Sequence, residues 1–365
     1  MKLVLHEEML LALLRAALHQ QEVETACFQL ATAEDWVRCF RLAVRQGVAA
    51  LAWESIESLS TECCPPLDVK LSWALVEKKQ LSIYRKHCQA VDELTQLYAQ
   101  HGIATVVLKG VGLSRLYPVP AHRVGGDIDI YTYSADKTKM TDEEANRLAD
   151  ELMKKQGILI DYSNVKLHSS FCYQGVLFEN HRSFFNTDIY AELFETDKWL
   201  KESMSSQSVN LLDGNCRISV PSVVFDSVFV SLHAAKHYGN GLSLRHLCDW
   251  VVLLQHGGLN LPEELNNKYL QQIIAVLSIL TNRYLGTSMP VEGYDKLANE
   301  MMEEIMRPPS YAMNPYSDPI RACWCKIRLK LHLLGLREHL LGVPIWKSIM
   351  NYILSILYKP SRLYK

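Results

Sequence analysis

Leu108-Lys109-Gly110, followed after a short gap by Arg123-Val124-Gly125-Gly126-Asp127-Ile128-Asp129-Ile130, decides how the rest of the chain is read. Two acids one residue apart among β-branched neighbours read as a strand, where side chains alternate faces with period two. Asp127 and Asp129 then share one face, and Ile128 and Ile130 point to a core on the other. Adjacent bare carboxylates repel, and one takes up a proton unless a cation lies between them. Mg²⁺ resolves the conflict, because a hard cation prefers carboxylate oxygen and keeps coordination positions for water and phosphate. This is the donor set of two-metal phosphoryl or nucleotidyl transfer, in which the ions stand about 3.5–4 Å apart.

Upstream, Ile103 to Leu108 reads as a short buried strand, and Lys109-Gly110 marks its hand-over to a helix at 111–117. Glycine lets a phosphate approach the backbone, and a helix N-terminus offers free N–H groups and the positive end of a dipole. Lys109 suits phosphate as a compact point charge; the alternative is a surface lysine beside an ordinary turn glycine. Arg123 either grips phosphate in the same way or pairs with one of the two aspartates.

The residues Val107-Leu108-Lys109-Gly110, Tyr117-Pro118, Arg123 and Gly126-Asp127-Ile128-Asp129-Ile130 resemble the nucleotidyltransferase superfamily of DNA polymerase beta. They are most similar to its uncharacterised bacterial branch, with the pattern LKG…R…DID. The resemblance implies that Asp127 and Asp129 bind divalent metal, that a third acid on a neighbouring strand completes the site, and that the glycine turn holds the triphosphate. Lys109-Gly110 stands where the wider superfamily has Gly-Ser, and the gap to Asp127 is long for it; both features fit the LKG branch. Leu177-Phe178-Glu179-Asn180-His181 resembles the strand that carries the family's third acid. Alternation puts Glu179 on one face with Leu177 and His181, where it can act as general base or hold the metal. Asp188, in Thr187-Asp188-Ile189-Tyr190, is the rival.

The surrounding pattern is helical on both sides. Leu10, Leu11, Leu13, Leu14 and Leu18 fall on one helix face, Thr32 and Asp35 mark a second helix start, and a long helix follows Pro65-Pro66 from about 68 to 100. After the strand at 103–108 come the strand at 127–133, a helix at 142–156 opened by Thr141 and Glu144, a strand at 158–160, and a hairpin over 169–180 turning at Gln174-Gly175. Beyond Pro221 the helical period returns, at 222–238, 243–256, 262–285, 294–306, 319–341 and 344–357. The fold class is therefore α+β: a small mixed sheet flanked by helical regions from both ends. The expected divisions are 1–101 (N-terminal helices), 102–220 (the nucleotidyltransferase-like core), 221–306 (helices closing the cleft) and 307–365 (a basic tail).

His233 and His237 lie four apart on the first of the later helices and so share a face. The spacing is compatible with zinc, but Ala234 stands where a zinc protease of the HExxH type has its glutamate, and that reading is rejected. The two histidines either line the cleft with Lys109, Gly110 and Arg123, or serve helix packing. Arg245, His246 and Asp249 form a similar case on the next helix, with Arg245 the nucleotide-binding candidate among them and an intrahelical Arg245–Asp249 pair as the alternative.

Bulk properties exclude little. The net charge of −2 over 365 residues gives no global argument for nucleic acid, and 48% apolar and 21% charged residues are ordinary for a globular protein. The ten cysteines form no CxxC pair, so buried thiols in a reducing cytoplasm are expected rather than a zinc ribbon. No run is long and apolar enough to span a bilayer. From Ile320 onward nine Lys/Arg face the single acid Glu338, a local net charge of +8. That charge suits an RNA backbone, an anionic membrane surface or an acidic partner, or simply a final helix with its basic residues in solvent.

The sequence therefore leads to a transferase that uses Mg²⁺ (or Mn²⁺) to move a nucleoside monophosphate from an NTP to a hydroxyl or phosphate acceptor. The alternatives are a toxin-like enzyme modifying tRNA and a non-catalytic nucleotide-binding scaffold, because fold alone does not fix function.

Overall fold

The computed structural model describes residues 2–164, 166–188, 190–238 and 242–307, the short pieces 340–341, 344–347 and 349–350, and no side chain at Asp213 or His237. The helices expected at 319–341 and 344–357, and the basic tail with them, lie largely outside the described residues.

Three helices open the chain: α1 (Leu5–His19), α2 (Ala33–Arg45) and α3 (Ala49–Glu57). Thr32 starts α2 as expected, its hydroxyl accepting from the Asp35 amide while the Asp35 carboxylate accepts from the Thr32 amide. Next comes α4 (Leu67–Ala99), whose 33 residues make a rod roughly 50 Å long.

The sheet contains β1 (Ile103–Val107), β2 (Ile128–Ser134), β3 (Ile160–Asp161), β4 (His168–Tyr173) and β5 (Val176–His181), in the order β1-β2-β5-β4-β3. Only β2 and β5 run parallel; the other pairs are antiparallel. Between β1 and β2 lies α5 (Val111–Ser114), and between β2 and β3 lies α6 (Asp142–Lys155), capped by Thr141 and Glu144. The β4–β5 turn falls at Gln174-Gly175, both at positive φ, as a two-residue hairpin of the I′ kind requires.

After the sheet come α7 (Phe194–Glu202), the separate hairpin β6 (Gln207–Leu211) and β7 (Cys216–Val220), then α8 (Val223–Tyr238), α9 (Leu244–Gln255), α10 (Lys268–Tyr284) and α11 (Asp295–Met306).

Some boundaries differ from the sequence reading. Asp127 precedes β2, because the ladder to β5 begins at the Ile128–Phe178 pair. The expected helix at 111–117 is one short turn: Tyr117 precedes Pro118, and the residue before a proline is disfavoured in the helical region. The helix expected from 262 begins at Lys268, where the Asn267 side chain accepts from the Tyr269 and Leu270 amides. Neither α7 nor the β6–β7 ribbon was anticipated; β6 is mostly exposed and carries little apolar alternation.

Two hydrophobic cores result. Helices α1–α3 and α8–α11 share one, with Trp36, Trp73, Trp250 and Phe229 inside it. The other lies between the sheet, α4, α6 and the ribbon, and includes Ile128, Ile130, Phe171, Phe178 and Tyr98. Helix α4 joins them, giving Val69 and Trp73 to the first and Tyr84 to Tyr98 to the second. The N-terminal and C-terminal helices thus form one body against one face of the sheet.

Candidate active site

Strand register builds the site. Asp129 of β2 stands opposite Glu179 of β5, and His181 of β5 stands opposite His168 of β4. Alternation then places Asp129, Glu179, His181 and His168 on one face across three adjacent strands. The opposite face carries Ile128, Ile130, Phe178 and Phe171 into the second core. Helix α8 covers the polar face, with Phe229 edge-on to the His181 ring at 6.3 Å between centroids.

Asp127 joins this face from just before β2. Carboxylate oxygens of Asp127, Asp129 and Glu179 lie within 4.8 Å of one another, a grouping able to hold a metal ion. Asp129 is 1% exposed. Its Oδ1 lies 2.9 Å from His181 Nε2, and its Oδ2 lies 3.1 Å from the Lys109 ammonium. Burial alone would raise the Asp129 pKa, but the Lys109 charge and the His181 hydrogen bond outweigh it and hold the carboxyl well below the usual range. Glu179 goes the other way: burial, then the charges of Asp129 and Asp127, raise its pKa. Asp188, the rival third acid, is exposed and paired with Lys166 at the surface.

Lys109 arrives on the turn after β1. Gly110 has φ +69°, a left-handed conformation that favours glycine. At Gly112 a Cβ would stand 2.5 Å from the Val107 carbonyl oxygen, so only glycine lets α5 close onto the end of β1. Lys109 Nζ also donates to His233 Nε2 of α8 at 3.0 Å.

A cavity of about 110 Å³ lies between sheet and helices, with Lys109, Gly110, Arg123, Asp127 and Asp129 on one wall and His233, Arg245 and Asp249 on the other. Small-molecule sites usually measure roughly 300–1,000 Å³, so this cleft has room for a phosphate-sized group with its charged lining. His237 belongs to α8, but its side chain is outside the described residues.

Arg123 pairs with neither Asp127 nor Asp129. Its Nε and Nη2 donate to the two carboxylate oxygens of Asp249 at 3.1 and 2.9 Å, and the Tyr117 hydroxyl donates to the same carboxylate at 2.6 Å. Asp249 is therefore engaged across the fold rather than in an intrahelical pair with Arg245. The Arg245 Nη1 reaches the Val124 carbonyl at 3.4 Å, while its buried Nε has no hydrogen-bond partner among the described residues. Burial lowers the Arg245 pKa and the Arg123 charge lowers it further, as expected of a cation with too little counter-charge.

His168, whose burial pushes its pKa down to about 4, was not identified as a site residue from sequence. Arg245, His246 and Asp249 all line the cavity, but the role of Asp249 as the anchor of Arg123 was not foreseen. All eight described cysteines are free thiols, and no described helix is long and apolar enough to cross a membrane.

Comparison with known proteins adds the family. No curated protein matches the chain. Among solved structures, an antigenic nucleotidyltransferase-like protein from Paracoccidioides brasiliensis aligns at 16% identity and a TM-score of 0.36, covering 57% of this chain and 94% of that one. The model of the family described as "Uncharacterised nucleotidyltransferase" matches residues 32–292, a span that contains every residue of the cavity and most of the chain. The chain belongs to that nucleotidyltransferase family.

Proposed function

We propose that the protein is a divalent-metal-dependent nucleotidyltransferase that moves a nucleoside monophosphate from an NTP to a hydroxyl or phosphate acceptor and releases pyrophosphate. One observation carries this reading: three clustered carboxylates, two of which, Asp127 and Asp129, line a cleft together with Lys109, Arg123, Arg245 and Asp249.

The donor set fits Mg²⁺ or Mn²⁺. Asp127, Asp129 and Glu179 offer only hard oxygen atoms, as such ions prefer. The buried Oδ2 of Asp129 accepts no aligned hydrogen bond among the described residues, and the Lys109 ammonium beside it marks a position that favours positive charge. When bound, the metal supplies charge neutralisation at the phosphates and activation of the attacking oxygen.

The chain's own groups do the rest. Glu179, with its raised pKa, is suited to take the proton of an acceptor hydroxyl. Lys109 lies between Asp129 and His233 at the cavity wall, within reach of a phosphate entering it. Arg245 presents an under-partnered guanidinium to the same space, and Gly110 keeps the turn free of a side chain. Arg123, held by Asp249, contributes fixed positive charge rather than a free fork. His233 lines the helical wall of the cavity, and His237 is kept in the proposal as a nucleotide-binding candidate from the sequence alone.

Isothermal titration of each NTP with Mg²⁺ tests the reading. Binding is expected in the wild type and weakened at least about tenfold, or about 1.4 kcal/mol, by Asp127→Asn or Asp129→Asn. Nucleotide binding indifferent to both substitutions would point instead to a non-catalytic scaffold. Labelled NTPs incubated with cell extract would then identify the acceptor by the label it acquires.

A further inference from the structure

A second group of ligand atoms shares Glu179 with the acid cluster. Donor atoms of His168, Glu179 and His181 also lie within 4.8 Å of one another. His168 Nδ1 is 3.3 Å from Glu179 Oε2, and His181 Nε2 is 3.9 Å from that same oxygen and 2.9 Å from Asp129 Oδ1. Zn²⁺ bonds of about 2.0–2.1 Å set tetrahedral ligand atoms about 3.3–3.4 Å apart. The His168–Glu179 separation matches that edge, and the His181–Glu179 separation exceeds it by roughly half an ångström.

The imidazoles are also oriented as ligands. His181 Nδ1 lies 3.3 Å from the Ser183 carbonyl, while its Nε2 faces the Asp129 carboxylate. Both neighbours are acceptors, so neither neutral tautomer satisfies both; a second proton or a metal ion is needed at Nε2. His168 Nε2 lies 3.3 Å from the Asn164 side-chain amide, whose oxygen and nitrogen exchange by a flip. Its Nδ1 is buried with no hydrogen-bond partner among the described residues and is turned to Glu179. Metal-bound histidines characteristically donate their other ring N–H to a carbonyl or similar acceptor; the Ser183 carbonyl is one for His181, and the flipped Asn164 amide supplies one for His168.

We infer that His168, His181 and Glu179 form a second metal site, beside the all-carboxylate one, for a borderline transition-metal ion such as Zn²⁺. The two imidazoles set its preference, because nitrogen ligands suit zinc or cobalt whereas all-oxygen sites suit magnesium. Glu179 belongs to both groups, so loading of the histidine site also fixes one of the three acids offered to the nucleotide-bound ion. The inference concerns ion binding and does not depend on nucleotidyl transfer.

The test is titration of the chelator-stripped full chain with Co²⁺, followed by visible absorption. One equivalent is expected to give the strong d–d bands of a tetrahedral centre, which Zn²⁺ abolishes and excess Mg²⁺ leaves unchanged. His168→Asn and His181→Asn should each remove those bands and weaken Co²⁺ binding by more than about tenfold. Asp127→Asn, which lies in the other group, should keep them. Circular dichroism verifies that each variant is folded, and His168→Ala replaces any that is not. Weak octahedral bands, displacement by Mg²⁺, or tetrahedral bands that survive both histidine substitutions would overturn the inference. Each of those results leaves the Mg²⁺–NTP titration, which reports on Asp127, free to succeed or fail by itself.

Discussion

Arg123 and Asp249, 126 residues apart, meet as a buried two-pronged ion pair that ties the segment before β2 to α9. Both are nearly sequestered from solvent, and Asp249 is held below the usual carboxylate range, where burial alone would raise it, chiefly by the Arg123 charge. Removing one member of such a pair strands the other charge, whereas removing both often costs little. Asp249→Asn is expected to destabilise the fold by about 3–5 kcal/mol in urea denaturation, and Arg123→Met by a similar amount. The double variant Arg123→Met/Asp249→Leu should recover most of the loss. Additive losses in that cycle would show that the two residues act separately and that the pair is no clasp.

His122, next along the chain, gives a pH signature. Its ring stands between Glu54, 2.8 Å from Nδ1, and Glu77, 3.3 Å from Nε2. Burial lowers the His122 pKa, but the two glutamates outweigh it and leave the value raised above 6.5. A raised histidine contributes stability that is complete below the unfolded pKa and is lost as pH rises through the folded one. Wild type is therefore expected to lose stability from about pH 6.5 upward relative to His122→Gln. Urea midpoints at about pH 6 and about pH 9 check this. A variant with the same slope as wild type would assign the pH dependence elsewhere.

How much of this was legible before any coordinates follows from particular residues. Thr32, Thr141 and the Gln174-Gly175 turn are local signals, and the helix starts and the hairpin fall where they indicate. The turn also fixes the register arithmetically: once Tyr173 faces Val176, Glu179 must face Ser170 and His181 must face His168. His168 was therefore readable in principle, though its own neighbourhood carries no motif. Asp249 was not readable as the partner of Arg123, because i,i+4 spacing favours Arg245 and only tertiary packing brings Arg123 to it. The β6–β7 ribbon escaped because its exposed polar strand has no buried face to impose a period.

Glycine geometry at the lysine turn yields a stability contrast. A Cβ at Gly112 would lie 2.5 Å from a backbone oxygen that cannot swing aside, whereas a Cβ at Gly126 meets nothing within 4 Å. Gly112→Ala is expected to cost about 1–3 kcal/mol by overpacking and to loosen the turn that carries Lys109. Gly126→Ala, also at the cavity, should stay within about 0.5 kcal/mol of wild type. Thermal unfolding of the two variants settles the comparison; equal midpoints would mean that α5 adjusts to a side chain at 112.

Glu179 is where stability and function pull apart. Its pKa is raised above 4.5 by burial first and then by the charges of Asp129 and Asp127. Between the unfolded value and the raised folded one, the native protein holds a proton that the unfolded chain has released. Stability therefore falls as pH rises through that window. In metal-free buffer Glu179→Gln is expected to be more stable than wild type at neutral pH, with the difference vanishing below about pH 4.5. Added divalent metal should reverse the order, because an ion bound only by the native wild-type carboxylates stabilises that state by mass action. Denaturation of both proteins with and without Mg²⁺, at neutral and acidic pH, measures each part. If Glu179→Gln is no more stable than wild type without metal, the carboxylate is not strained by its acid neighbours. If the variant gains as much from Mg²⁺ as wild type does, Glu179 is no ligand of that ion.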